Sequence, residues 1–173
     1  TTEIYTLSLH DALPILITIV TGSINCGKTT CMINLYQANQ KGDGFVSIKI
    51  MKDGHVDHYR ARKLSSGEER VLMIHEKSDS FHTPSMIQIG PYHVIDSTIE
   101  WIEDEMNHMI DQKISPLYLD EIGHLELKKQ GFHHILLNML HAPVDLVLVI
   151  RDQWMKDVVQ TYNMNDVDLI DVK

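Results

Sequence analysis

The sequence predicts an α/β domain: a central sheet flanked by helices, carrying an antiparallel β insertion. Three observations predict it. Short apolar, β-branched runs alternate with helix-patterned segments at both ends of the chain. Hairpin and turn signals dominate residues 45–95 between them. A glycine-bracketed turn joins the first strand directly to the first helix.

The elements follow in order. The opening "TTEIYTLSLHDALPI" resembles a translated sequencing-adapter read-through, so residues 1–15 are expected to be a foreign or disordered leader, and 16–173 a single domain. "LITIV" (16–20) reads as a buried strand closed by a glycine turn. "TTCMINLYQANQK" reads as a helix with Met32, Leu35 and Tyr36 on its core face and Gly42 as its stop. "GFVSIKIMKDGHVDHYRARKL" contains two strand-like runs around Asp53-Gly54, a two-residue hairpin signal. "RVLMI" is a further strand and "EKSDSFHTPS" a polar loop. "STIEWIEDEMNHMIDQK" opens with Ser97 and Glu100 at capping-box spacing, and Ile99, Ile102, Met106, Met109 and Ile110 recur at helical intervals. "PLYL" is a buried strand, "FHHILLNML" a helix, "VDLVLVI" a strand, "DQWMKDVVQTY" a helix and "VDLIDV" a last strand.

Bulk composition narrows the function classes. The chain is 43% hydrophobic and 23% charged, which is ordinary for a globular domain, and its net charge is −9. That balance points to no clear nucleic-acid or membrane partner. The longest apolar stretch, "ALPILITIV", is too short to span a bilayer and is broken by Pro14. Two cysteines, Cys26 and Cys31, form no CxxC pattern and suit a reducing, cytoplasmic setting.

"GSINCGKTT" (22–30) fits the P-loop, or Walker A, pattern G-x-x-x-x-G-K-[ST] through Gly22, Gly27, Lys28 and Thr29, between a strand and a helix as the pattern requires. Backbone N–H groups of Gly22, Ser23, Ile24, Asn25, Cys26 and Gly27, together with a helix N-terminus, make a nest for anionic oxygens. Lys28 brings a mobile positive charge to the β- and γ-phosphates, the Thr29 hydroxyl ligates Mg²⁺, and Thr30 is a candidate α-phosphate contact.

A metal there needs an acidic anchor at a neighbouring strand end. In "SPLYLDEIGHLEL" (115–127) the apolar run ends in Asp120 and Glu121, the position of a Walker B pair. Asp120 is assigned to Mg²⁺. Glu121, diverging from it by strand alternation, is assigned as the base for the attacking water. Arg151 follows "VLVI" at another strand end and is a candidate for stabilising transition-state charge, against an ordinary ion pair with Asp152 or Asp157. His124 also lies near this end, where loop solvation is the simpler reading. The histidine pairs in "HVDH" (55–58) and "HH" (133–134) lack partners at metal-ligand spacing. Cys26, at a helix N-terminus, is a candidate oxidation-sensitive thiol.

With these motifs in place, residues 16–173 resemble the small thermophile-type nucleoside-triphosphatase family, which includes the cancer-related nucleoside-triphosphatase of animals. The cradle, "GFVSIKI" with its following hairpin, "IGPYHV" and "LDEIGHLEL" carry the likeness in order. The resemblance implies a recombinase-like core and slow Mg²⁺-dependent hydrolysis of several nucleoside triphosphates with little base preference. Ile24, Asn25 and Cys26 stand where family cradles are richer in glycine, and the hairpin "KDGHVDHY" carries His55 and His58 where arginines are common. Those differences bear on rate and nucleotide preference.

Rival readings are a GTPase switch, a small-molecule kinase and a nucleotide-dependent binding module. The first needs N-K-x-D, and "NMND" (163–166) lacks the lysine. Kinases usually add an arginine-rich lid, whereas Arg60, Arg62 and Arg70 are scattered through the insert. A binding module would turn over only when its partner is present.

Overall fold

The computed structural model describes residues 15–80 and 87–173. The expected leader therefore lies outside the described residues except for Ile15, as does the end of the polar loop after residue 80.

The elements are β1 (Ile17–Thr21), α1 (Lys28–Asn39), β2 (Asp43–Lys52), β3 (His55–Lys63), β4 (Glu69–His75), β5 (Gln88–Ile89), β6 (Tyr92–Val94), α2 (Asp96–Asp111), β7 (Leu117–Ile122), α3 (His124–Leu127), α4 (His133–His141), β8 (Leu146–Ile150), α5 (Asp152–Thr161) and β9 (Val167–Asp171). They build one sheet in the order β5-β6-β4-β3-β2-β7-β8-β1-β9. Strands β2, β7, β8, β1 and β9 pair in parallel. From β2 outward through β3, β4, β6 and β5 the pairing is antiparallel. The insertion is thus an extension of the central sheet, and β2 belongs to both halves. Its hairpin turns at Asp53 (φ 49°) and Gly54 (φ 81°), the two positive φ values that a two-residue primed turn demands.

Period-2 alternation sorts the strand side chains onto two faces. Ile17 and Ile19, Leu117 and Leu119, and Leu146, Leu148 and Ile150 join one buried cluster, covered by α2, α4 and α5 through Ile102, Met106, Ile135, Leu136 and Val158. Val20, Tyr118, Val147 and Val149 join a second, covered by α1 through Met32, with Leu35 and Tyr36 packed against it. Continuous apolar runs were the sequence signature of strands covered on both faces.

Two local expectations are revised. The stop of α1 is Gln40, left-handed at φ 50°, whose N–H donates to the Tyr36 carbonyl. Gly42 instead allows close approach, because a Cβ there would lie 2.0 Å from the Pro116 carbonyl oxygen. The capping box of α2 does not form: Ile95 is the N-cap, without a side-chain cap. The helix entry is pinned to β4, with the Ile95 N–H donating to the Leu72 carbonyl (2.9 Å) and the Thr98 hydroxyl to the Val71 carbonyl (2.6 Å). The short hairpin β5–β6 and helix α3 are too brief to show a period in sequence.

Candidate active site

Parallel strands present their carboxyl ends on one edge of the sheet, and the predicted site residues meet there. β1 runs into the loop 22–27, β7 carries Asp120-Glu121 just before its end at Ile122, and Arg151 directly follows β8. Strand β8 separates β1 from β7, so the two motifs start about 10 Å apart, two inter-strand spacings. Helix α1 spans that gap, packing on β1, β8 and β2.

The loop takes its shape from backbone constraints. Gly27 has φ 96°, in the left-handed region, and is the N-cap of α1, with no side chain capping the helix. Gly22 is crowded: a Cβ would lie 2.3 Å from the Val172 carbonyl oxygen. The first-turn N–H groups of α1 are therefore offered to a ligand rather than to a side chain. The Lys28 ammonium folds back over the loop, donating to the Gly22 carbonyl at 3.0 Å and to the Ser23 carbonyl, with the Cys26 Sγ at 3.7 Å.

The decisive contact joins the two motifs. The Thr29 hydroxyl donates to Asp120 Oδ2 at 2.7 Å, across 91 residues of sequence. The same oxygen accepts the Ser47 N–H at 3.0 Å, and Oδ1 accepts the Glu121 N–H at 2.8 Å. Asp120 follows Tyr118 in strand parity, which aims it at the α1 face. It is 3% exposed, and its pKa is pushed up to about 7, first by burial and then by the neighbouring Glu121 charge. A carboxylate so placed gains from a nearby cation. The buried Ser47 Oγ has no hydrogen-bond partner among the described residues, and Ser47 lines the same cavity as Thr29 and Asp120. One carboxylate with hydroxyl oxygens is a donor set suited to Mg²⁺, which relies on few protein ligands and on substrate phosphates.

The raised pKa carries a stability sign. The folded chain holds this proton more tightly than the unfolded chain, whose aspartate titrates near 3.8. The group's stabilising contribution is therefore complete below that value and lost as pH rises through about 7. Metal-free wild type should lose denaturant resistance across that window relative to Asp120→Asn, which carries no such proton. Parallel unfolding profiles of the two proteins would contradict this.

Glu121 departs from simple alternation. It has φ 63°, and the β7–β8 register shifts between Leu119, opposite Leu148, and Ile122, opposite Ile150. One extra residue on β7 is a bulge. Ile122 takes the core position that Glu121 would otherwise occupy, and the carboxylate is carried to the site edge. Arg151 Nη2 lies 3.4 Å from Glu121 Oε2, so its ion-pair partner is Glu121 rather than Asp152 or Asp157.

A cavity of about 320 Å³ is lined by Ile24, Asn25, Gly27, Lys28, Thr29 and Thr30 together with Asp120, Glu121 and Arg151. Gly22, Ser23 and Cys26 shape the loop without lining it. Sequence reasoning missed Lys49, which lines this cavity and donates to the Asn25 side-chain oxygen. It also missed Glu126, 2% exposed, which braces the turn after Glu121 by accepting the Gly123 N–H at 2.7 Å and the Phe132 N–H at 2.9 Å. The third acid in "LDEIGHLEL", Glu126, was marked only by its position in an apolar run. Arg60 and Arg62 pair with Glu69, and Arg70 with Glu68, away from the cavity.

A parallel sheet edge with a phosphate-type loop, a hydroxyl–carboxylate pair and a strand-end glutamate defines a P-loop α/β protein. The profile of the NTPase family matches residues 17–173, and the chain belongs to that family of enzymes. "Nucleoside-triphosphatase THEP1" of Thermotoga sp. (strain RQ2) is 27% identical, covering 89% of this chain and 84% of the relative. The protein of that name from Sulfolobus acidocaldarius is 24% identical, covering 76% of this chain and 74% of the relative. Among solved structures, THEP1 from Aquifex aeolicus shares the fold with a TM-score of 0.68 at 21% identity, covering 91% of this chain and 90% of that one. A human cancer-related nucleoside triphosphatase gives 0.64 at 20% identity, covering 91% and 89%. No helix among the described residues is long and apolar enough to cross a membrane.

Proposed function

We propose that this protein hydrolyses nucleoside triphosphates to diphosphates and phosphate, with Mg²⁺ as cofactor and little selectivity for the base. The observation that carries the reading is the 2.7 Å bond from Thr29 to Asp120, which unites the loop and the acidic strand end in one site. Family membership supports the same chemistry.

In this reading the loop N–H groups and the α1 N-terminus hold the phosphates, and Lys28 exchanges its loop carbonyls for phosphate oxygens. Thr29 and Asp120 would hold Mg²⁺, which supplies charge neutralisation at the phosphate oxygens. Glu121 orients the attacking water and accepts its proton. Arg151, 3.4 Å from Glu121, holds that carboxylate in place and donates to charge developing on the transferring group. Low base selectivity is supported by "NMND" (163–166), which lacks the lysine of a guanine-reading motif. Two free cysteines, Cys26 and Cys31, support a cytoplasmic setting.

Phosphate release from ATP, GTP, CTP and UTP, with and without chelator, tests the proposal. All four should be hydrolysed at rates within about tenfold of one another, the span of roughly 1.4 kcal/mol in barrier, and chelation should stop all four. Turnover that stays negligible until a protein partner is added would favour the binding-module reading instead.

A further inference from the structure

A second cavity of about 510 Å³ is also lined by Glu121. It shares Ile24, Asn25, Lys49, Glu121 and Arg151 with the phosphate-side cavity, so the two meet at the glutamate. Lys28, Thr29 and Asp120 line the phosphate-side cavity and not this one. The walls are apolar, including Leu72, Ile122 and Phe132 of the larger core cluster. Aromatic faces line it: Tyr59 and Tyr92 meet edge-to-face at 5.3 Å, and Trp154 lies 4.9 Å from the His124 ring. A cavity of this size with a few convergent polar groups suits a small molecule.

We infer that this cavity binds an uncharged small molecule with a planar aromatic body and a terminal hydroxyl, which accepts the γ-phosphoryl group in place of water. The inference rests on the assignment of the loop and Glu121 made above. Charge selects a neutral occupant. Both Glu126 oxygens accept backbone N–H groups, Glu121 pairs with Arg151, and Lys49 is engaged by Asn25. Among the described lining residues, no lysine or arginine stands apart from the phosphate side to neutralise an anionic ligand. The aromatic walls select a flat ring, and the polar end at Glu121 selects the hydroxyl. The step balances. The hydroxyl oxygen bonds to the γ-phosphorus, the bond from that phosphorus to the bridging oxygen breaks, the hydroxyl proton passes to the Glu121 carboxylate, and the diphosphate leaves. Hydrolysis is the same step with water as acceptor.

The test uses the full chain with Mg²⁺, γ-labelled ATP and three probes: benzyl alcohol, 2-naphthylmethanol and thymidine. Equilibrium dialysis measures probe binding, and chromatography separates labelled phosphate monoester from free phosphate. Wild type should bind at least one probe saturably and form its labelled ester. Ile89→Trp and Val56→Trp enlarge cavity-lining side chains on two strands, and neither residue has a hydrolytic role in the reading above. Each should weaken probe binding and ester formation by at least about tenfold, equivalent to about 1.4 kcal/mol, while phosphate release without probe stays unchanged. Phosphate release without a labelled ester from any probe, or binding that both variants retain, overturns the inference and leaves hydrolysis standing. Absence of phosphate release from wild type overturns both.

Discussion

Lys28→Ala is expected to lose nucleotide binding and turnover together. The only hydrogen bonds described for this ammonium run to the Gly22 and Ser23 carbonyls and the Cys26 sulfur, all within its own loop. Its removal therefore strips charge from the phosphate-side cavity without unpinning a distant element. The loss should amount to about 2–5 kcal/mol of binding, the scale of truncating one partner of a desolvated charge pair. Titration with nucleotide and a phosphate-release assay check it, alongside a melting curve that should stay close to wild type. Affinity retained in the variant would remove the loop from the phosphate-binding role.

Glu121→Gln should behave differently: binding preserved, hydrolysis cut by about 10²–10⁴, the range for losing a general base. Glutamine keeps the length of the side chain and its contact distance to Arg151, but cannot take a proton. The left-handed backbone at φ 63° is held by the register shift in β7 and by the bond from its N–H to Asp120 Oδ1, neither of which needs the carboxylate. The predicted pattern is thus a fall in kcat with nucleotide affinity unchanged. Wild-type rates in the variant would assign the proton transfer elsewhere.

Legibility differed by the range of the interactions involved. The loop 22–30 could be read from sequence because its chemistry is local: glycines where the backbone turns, then lysine and threonine on the first helical turn. The doubly buried strands could be read because being covered on both faces leaves a continuous apolar run. Asp53-Gly54 could be read because few other pairs tolerate two successive positive φ values. The capping box of α2 misled, since Ser97 and Glu100 have the right spacing while the Leu72 and Val71 carbonyls of β4 already fix the helix entry. Lys49 and Glu126 were missed because a lysine on a strand and a glutamate in a short helix carry no local signature of what they meet.

By itself, then, the sequence determined the α/β class, the order of its major elements and the identity of the phosphate loop, all products of interactions within a few residues. Tertiary structure alone decided how Glu121 leaves the core face, which partner Arg151 finds, and that a second cavity shares the glutamate in its lining. The physical reason is that a one-residue bulge and a wall built from separate strands and helices depend on pairing across the sheet. Such pairing between distant segments leaves no periodic trace along the chain.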